Sequence, residues 1–381
     1  MRFINFLIKP ASSACNLRCR YCFYEDIAEN RQVKNMGIMQ ADTVSLLLDQ
    51  AFELVSPGGA VHFAFQGGEP TVAGLSYFRN FTEQVRAMCP KGVGVSYAIQ
   101  TNGTLLDEEW ALFLREHDFL VGLSLDGYKE LHNRNRVDGR GADTWNTVCR
   151  AFRLLAKHRV RTNILCVVTK QCASHPDKVY NELKKLGVQY MQFIPCLDPM
   201  EEERGGQPFS LTSSLYGDFL CRLFDLWYRD WETGQYRSVR LFEDYINMML
   251  GETSITCSTC GYCGGYFVVE GDGSVYPCDF FVLDQWRMGS VHETTLREMA
   301  NTEQAKGFLL WGQEKPPECL SCRWRGLCNG GCKNDWQVSE GIPHNYFCEA
   351  FRRFFGHAGE RLSYIAELER QERMKAGQER R

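Results

Sequence analysis

The sequence has no long apolar run, no excess of positive charge and no clear targeting segment. Its longest apolar stretches, such as ILCVV, are as long as a strand, whereas a membrane-spanning helix needs about 20 apolar residues. Acidic residues (47) slightly outnumber basic ones (43). We therefore expect neither a nucleic-acid partner nor a membrane surface. The apolar part of MRFINFLIKP is too short for the h-region of a signal peptide, so we expect a cytoplasmic protein.

Cysteine, by contrast, is abundant, with 18 residues in the chain. In a reducing compartment, thiols indicate metal or redox chemistry rather than disulfides. Three of them fall within residues 15–22, nine within residues 257–348, and six stand singly between these groups. We interpret the single cysteines as small buried hydrophobic residues. They are Cys89, Cys149, Cys166, Cys172, Cys196 and Cys221.

The first 200 residues alternate short apolar runs with amphipathic segments. The runs are FLIKP, VHFAFQGG, VSYAIQTNG, FLVGLSLDG, RTNILCVVT and YMQFIP. Segments between them, such as ADTVSLLLDQAFELV, carry apolar residues at the three- and four-residue spacing of helices. This alternation predicts parallel strands with helical crossovers, and six such units would form a partial (β/α)6 barrel.

Polar and glycine-rich residues follow these predicted strands. They include a group of three cysteines and the stretches QGGEPT, QTNGT, SLDG and NRNRVD. Parallel α/β folds build their sites at the carboxyl ends of the strands. We therefore expect these loops to meet at one site.

The three cysteines have the spacing Cys15-x3-Cys19-x2-Cys22. A zinc site would need a fourth ligand, and the first histidine in the chain is His62. Alternatively, three thiolates would hold a [4Fe–4S] cluster and leave one iron open for a small chelating ligand, such as S-adenosylmethionine (SAM). We favour the cluster, because this spacing, with the aromatic Tyr21 before the third cysteine, resembles that of the radical SAM enzymes.

The same resemblance assigns SAM contacts to the other loops. The stretch GGEP resembles the motif that receives the SAM amino group, and its glycines would let the backbone approach a ligand closely. By itself GGEP is equally typical of a turn, and Arg136 of a surface ion pair. The resemblance implies ribose and carboxylate contacts from Ser124 and Arg136, and an adenine contact from Leu197. The SAM-binding set it implies is Tyr21, Gly67, Gly68, Glu69, Ser124, Arg136 and Leu197.

Past residue 240 the regular alternation stops and a second cysteine group follows. Its spacing is Cys257-x5-Cys263-x14-Cys278 and then Cys319-x2-Cys322-x5-Cys328-x3-Cys332-x15-Cys348. Eight thiols suffice for two four-thiolate sites, and the spacing alone leaves two zinc sites open. We predict two domains, residues 1–235 and residues 236–381, the second being smaller, cysteine-rich and ending in a helix.

The second cysteine group resembles the SPASM extension of radical SAM enzymes, which holds two auxiliary [4Fe–4S] clusters. The resemblance assigns four thiols to each cluster. The first set is Cys257, Cys263, Cys278 and Cys332; the second set is Cys319, Cys322, Cys328 and Cys348. Cys260 is left over and is an alternative to Cys257.

An acidic residue, Asp279, directly follows Cys278 in YPCDFF. A fully ligated cluster suits electron transfer, which indicates an oxidation, and such a step also needs a base. From the residues alone, Asp279 is equally well interpreted as a turn cap or as an ion-pair partner.

Several stretches together resemble the anaerobic sulfatase-maturating enzymes over nearly the whole chain. They are LIKPASSACNLRCRYCFY, FAFQGGEPTVAGL, QTNGTLLDEEWALFL, FLVGLSLDG, NILCVVT and VVEGDGSVYPCDFFVLD. The resemblance implies oxidation of a cysteine or serine, in a Cys/Ser-x-Pro-x-Arg motif of an unfolded sulfatase polypeptide, to Cα-formylglycine. It implies three [4Fe–4S] clusters, SAM, and an external reductant such as flavodoxin or ferredoxin. Asp279 would be the general base, and Tyr24, Gln66 and Gln100 would line the substrate pocket.

Two alternatives remain open at this point. One is another SPASM maturase, which forms thioether or carbon–carbon crosslinks in a ribosomal peptide. Many such enzymes begin with a leader-peptide domain, and we expect none here because only 14 residues precede Cys15. The other is a zinc or iron–sulfur protein that serves as a scaffold or electron carrier, although a pure carrier gains nothing from an open iron.

Overall fold

The computed structural model describes residues 1–379. Its strands are β1 Phe3–Ile8, β2 Leu17–Cys19, β3 Ala60–Phe65, β4 Gly94–Thr101, β5 Leu120–Ser124, β6 Arg136–Asp138, β7 Arg161–Val168, β8 Tyr190–Pro195, β9 Ser238–Val239, β10 Tyr266–Val269, β11 Ser274–Tyr276, β12 Gly289–Ser290, β13 Trp336–Ser339 and β14 Ile342–Asn345. Its helices are α1 Phe23–Glu29, α2 Ala41–Leu54, α3 Leu75–Met88, α4 Glu108–Glu116, α5 Lys129–Asn135, α6 Trp145–Lys157, α7 Lys170–Ala173, α8 Pro176–Lys185, α9 Ser213–Glu232, α10 Arg240–Met249, α11 Leu296–Met299, α12 Glu303–Gln313, α13 Arg325–Cys328 and α14 Cys348–Glu379.

Ten strands form one sheet, in the order β12-β11-β10-β1-β3-β4-β5-β7-β8-β9. The six predicted strands are β1, β3, β4, β5, β7 and β8, and each pairs in parallel with its neighbour. The predicted partial barrel of parallel strands with helical crossovers is therefore confirmed.

Three strands of the cysteine-rich part extend this sheet, which the sequence analysis did not anticipate. Strand β10 lies parallel to β1, with Asn5 opposite Tyr266, and β11 and β12 follow in antiparallel pairing. The turn between β10 and β11 contains Asp272 and Gly273, and Gly273 has a φ of +83°. An Asp-Gly turn between two apolar runs is a strong hairpin signal, so the sequence did carry the information.

Alternation along the strands separates the core from the inside of the barrel. In β3, Val61, Phe63 and Phe65 are buried in a core that they share with α2 and α3. The residues of opposite parity, His62 and Ala64, face the central cavity. Since side chains alternate with a period of two, Gln66 just beyond the strand also faces that cavity.

The last helix, α14, packs against α9 of the N-terminal part. Buried residues of both helices, among them Phe219, Leu223 and Phe354, belong to one hydrophobic core. The predicted N- and C-terminal parts thus share a core as well as a sheet. Within residues 1–379, no helix has both the length and the apolar character needed to cross a membrane.

Candidate active site

One large cavity opens among the carboxyl ends of the parallel strands. It has a volume of about 910 Å³, which is at the upper end for small-molecule sites. The predicted site residues that line it come from both halves of the chain. They are Cys15, Cys19, Tyr21, Cys22, Tyr24, Gln66, Gly67, Gly68, Glu69, Gln100, Ser124, Arg136, Leu197, Cys257, Cys263, Cys278, Asp279 and Cys332. The expectation that the strand-end loops meet at one site is thus met by the geometry.

The three-cysteine loop runs along one side of this cavity. Cys19 ends β2 and Cys22 precedes the first residue of α1. Burial raises the pKa of the Cys15 thiol to about 11 and that of Cys19 to about 12. Without a metal these thiols are therefore neutral, and loading a cluster must release their protons. Three half-buried thiols on one wall of a large cavity are a donor set that fits an iron–sulfur cluster.

The GGEP loop is packed tightly on the backbone of the cysteine loop. The backbone N–H groups of Gly68 and Glu69 donate to the carbonyl oxygens of Ser12 and Ala14, each at 2.8 Å. A Cβ atom at position 68 would lie 2.2 Å from the Ala14 oxygen, and Gly67 has a φ of +135°. Only glycine allows this approach, so the two loops hold each other in register.

Glu69 ties the same loop to the end of β4. Its buried carboxylate accepts hydrogen bonds from the backbone N–H of Asn102 at 2.7 Å and from the hydroxyls of Thr71 and Thr101, both at 2.6 Å. Burial raises the pKa of Glu69, while these donors lower it. The side chain thus fixes the shape of the loop from behind.

Arg136 is held by protein groups before any ligand binds. Its Nε donates to Asp126 at 3.0 Å, and the Tyr21 hydroxyl donates to the same carboxylate. One guanidinium nitrogen lies 4.0 Å from the sulfur of Cys19. The ion pair that the sequence left open for Arg136 therefore exists, but it is buried and lies beside the thiols rather than on the surface.

Asp279 is nearly buried and is held at both oxygens. Lys9 donates to Oδ1 at 2.5 Å, and Gln66 donates to Oδ2 at 2.8 Å. The Lys9 ammonium also lies 3.6 Å above the centre of the Tyr24 ring, and Lys9 itself is fully buried. The Tyr24 hydroxyl points elsewhere and donates to Glu270. Asp279 is thus an anchored carboxylate at the cavity wall.

Sequence reasoning assigned no role to Lys9, Asp126 or Glu270. Lys9 pairs with Asp279, Asp126 pairs with Arg136, and the buried carboxylate of Glu270 pairs with Arg31 at 2.8 Å. For Lys9 a signal was present. Asn5, Leu7 and Lys9 share the parity of the β1 residues that face inward, and a buried lysine needs a partner.

The cysteines of the C-terminal part lie at two places. The first predicted set shares the large cavity, as does Cys260. The second set lines a separate small cavity together with apolar groups of Trp324, Phe351 and Phe355; its thiols are Cys319, Cys322, Cys328 and Cys348. Four thiols around a small, largely apolar space are a donor set that fits a second fully ligated cluster.

Cys257 and Cys260 differ in their surroundings. The Cys260 thiol donates to the carbonyl oxygens of Ser254 and Thr256, both at 3.3 Å. Burial, followed by the neighbouring Cys263, raises the pKa of the Cys257 thiol to about 11. Cys257 is therefore electrostatically linked to another thiol of the first set, whereas Cys260 is engaged by its own loop.

Two stretches of the chain match known families. Residues 10–187 match the Radical SAM superfamily, and residues 257–323 match SPASM, an iron–sulfur cluster-binding domain. With the α/β fold and the thiol-lined cavities, these matches define a radical SAM enzyme with a SPASM extension. Its cofactors are [4Fe–4S] clusters and S-adenosylmethionine.

Closer relatives narrow the class. The cysteine-type anaerobic sulfatase-maturating enzyme of Clostridium perfringens is 44% identical over 95% of this chain and 98% of its own length. The serine-type enzyme of Bacteroides thetaiotaomicron is 30% identical over 94% of this chain and 90% of its own. The solved structure of native anSMEcpe with bound AdoMet and Cp18Cys peptide has a TM-score of 0.90 and 43% identity, over 96% of this chain and 99% of that one. This chain belongs to the family of anaerobic sulfatase-maturating enzymes.

Proposed function

We propose that this enzyme oxidises a cysteine side chain of a sulfatase polypeptide to Cα-formylglycine, with Asp279 as the general base. The observation that carries this proposal is the anchored Asp279 carboxylate, on the wall of the cavity that the three-cysteine loop also lines. The greater identity to the cysteine-type relative, 44% against 30% for the serine-type one, supports cysteine as the preferred target. The expected Cys-x-Pro-x-Arg context belongs to the proposal.

The cofactors would be held by thiols of this chain. Cys15, Cys19 and Cys22 would hold the cluster that binds SAM, and the two four-thiol sets would hold the auxiliary clusters. When bound, these groups supply a radical that removes a Cβ hydrogen atom from the substrate and centres that accept the remaining electron.

Several residues would position SAM rather than react. Gly67 and Gly68 bring loop backbone to the cavity wall, and Glu69 keeps that loop in place. Arg136, fixed by Asp126, offers a positive charge beside the first cluster site for the SAM carboxylate. Tyr21, Ser124 and Leu197 complete the proposed SAM contacts by lining the same cavity.

Asp279 would take the proton of the substrate thiol. Because Lys9 and Gln66 each donate to a different oxygen, the carboxylate is held as an acceptor with a fixed orientation. A base within hydrogen-bonding reach of the substrate contributes about 10²–10⁴-fold in rate. Oxidation of the thiol removes one hydrogen atom, one proton and one electron, and Asp279 accounts for the proton.

The polypeptide would enter beside Tyr24, Gln66 and Gln100. All three line the cavity, and the two glutamines carry both donors and acceptors for a peptide backbone. A wide cavity shared by both halves of the chain suits an extended segment more than a folded domain. We therefore keep an unfolded sulfatase segment as the proposed partner and a flavodoxin or ferredoxin as the proposed cytoplasmic reductant.

For the first auxiliary set we propose Cys257 rather than Cys260 as a ligand. Support comes from the electrostatic link of Cys257 to Cys263 and from the two carbonyl oxygens that engage the Cys260 thiol. The set would then be Cys257, Cys263, Cys278 and Cys332.

The proposal is tested with paired peptides that differ only in Cys or Ser at the target position of the x-Pro-x-Arg motif. The reconstituted enzyme is incubated anaerobically with SAM, a reductant and each peptide, and products are identified by mass spectrometry. We expect an aldehyde from both, formed faster from the cysteine peptide. Crosslinked peptide without aldehyde would instead support the thioether- or carbon-crosslinking maturase.

A further inference from the structure

A buried lysine, Lys333, lies beside the first auxiliary thiol set. Only 3% of Lys333 is exposed, and among residues 1–379 it forms no ion pair with a carboxylate. Its ammonium donates to the backbone oxygen of Phe308 at 2.6 Å and lies 4.5 Å from the centre of the Trp311 ring. Burial of an ammonium without a counter-charge is costly, so a fixed anion is expected nearby.

Helix α12 brings this lysine and a thiol of the first set together. Phe308 and Trp311, which enclose the ammonium, lie on the same helix as Gly312. A Cβ atom at Gly312 would be 2.6 Å from the sulfur of Cys263, so that sulfur rests on the helix backbone. The groups that act electrostatically on Lys333 are the thiols of Cys263, Cys278 and Cys332.

A second lysine, Lys315, lies between the two thiol sets. It is half-buried and donates to the backbone oxygen of Gly312 at 3.0 Å. The thiols that act on it belong to both sets: Cys263 and Cys332 to the first, Cys319 and Cys328 to the second. Among the described residues it, too, forms no ion pair with a carboxylate.

We infer that Lys333 and Lys315 are the charge-compensating residues of the auxiliary clusters and raise their reduction potentials. A cluster with four thiolate ligands is anionic and becomes more so on reduction, so a fixed positive charge in a poorly solvated site stabilises the reduced form. Lys333 acts on the first cluster, and Lys315 acts on both. The inference rests on the proposed thiol assignments. It names the feature that makes these clusters better acceptors for the electron released by the substrate.

The test is an EPR-monitored redox titration of the reconstituted full chain without substrate. Lys333→Met removes the charge and keeps the length of the side chain, whereas Lys333→Arg keeps the charge. Lys306→Met is the matched control, because Lys306 lies on α12 but is exposed and pairs with Glu303. Full chains with Cys15, Cys19 and Cys22 replaced by alanine let the auxiliary signals be assigned.

We expect Lys333→Met to make reduction of the first auxiliary cluster about tenfold less favourable, which equals 59 mV for one electron. Lys315→Met should lower both auxiliary potentials, and Lys333→Arg and Lys306→Met should leave them unchanged. An unchanged first potential in Lys333→Met, with its iron retained, overturns the inference. If Lys333→Met loses iron, unchanged potentials in Lys315→Met overturn it instead. Because no peptide is present, failure here is distinguishable from failure of aldehyde formation.

Discussion

Replacing Asp279 by asparagine removes the proposed base and keeps the shape of its side chain. Asparagine can still accept a hydrogen bond from Lys9 through its amide oxygen, but it cannot take the proton of the substrate thiol. The three-cysteine loop and the SAM contacts are untouched by this change. We therefore expect 5′-deoxyadenosine to form while aldehyde formation falls by about 10²–10⁴-fold.

The same substitution should also destabilise the protein. Lys9 is fully buried and would keep its positive charge without the carboxylate that lies 2.5 Å away. Breaking a buried pair in this way costs about 3–5 kcal/mol, and we expect the lower end because the amide oxygen still accepts one hydrogen bond. In the double variant Lys9→Met with Asp279→Asn no charge is left buried, so much of the stability should return.

These effects are separated by two measurements on the reconstituted variants. Mass spectrometry and chromatography give aldehyde and 5′-deoxyadenosine, and thermal unfolding gives stability. The double variant should regain stability but not aldehyde formation, which distinguishes loss of the base from loss of structure. Aldehyde formation at the wild-type rate in Asp279→Asn would refute the assignment of the base.

Three further predictions follow from the site and its surroundings. Gly68→Ala should reduce 5′-deoxyadenosine formation by about 10²-fold, because its Cβ would lie 2.2 Å from the Ala14 oxygen and shift the loop; a wild-type yield would contradict this. Burial lowers the pKa of His132 to about 4, so about 3 kcal/mol of stability should be lost as the pH falls from 6.5 to 4. Thermal unfolding of wild type and His132→Gln measures this, and identical pH profiles would contradict it. Cys257→Ala should lose the iron of one cluster while Cys260→Ala keeps it, as iron and sulfide analysis would show; the reverse result would exchange the two assignments.

Much of the architecture follows from sequence periodicity, because strand and helix patterns in the first 200 residues are regular. The six predicted parallel strands are all present in the expected order. The C-terminal strands were missed, since β10, β11 and β12 have four residues or fewer and are separated by cysteine-rich loops. Their pairing depends on an available sheet edge at β1, which no local pattern specifies.

Within the site, motifs predicted which residues line the cavity but not how charges pair inside it. Lys9 and Asp279 are 270 positions apart in the sequence, and so distant a pair leaves no periodic signal. Of the six single cysteines, Cys149, Cys166, Cys172 and Cys196 are buried as expected, whereas Cys89 and Cys221 are only half-buried. Burial of a small residue depends on tertiary packing that spacing does not encode.

The most direct test of the proposed reaction follows one hydrogen atom. A target peptide carrying cysteine with two deuterium atoms on Cβ is incubated anaerobically with the reconstituted enzyme, SAM and a reductant. We expect one deuterium in 5′-deoxyadenosine and the other in the aldehyde of Cα-formylglycine, in equal amounts. Aldehyde accompanied by unlabelled 5′-deoxyadenosine, or label transfer that yields only crosslinked peptide, would contradict the account.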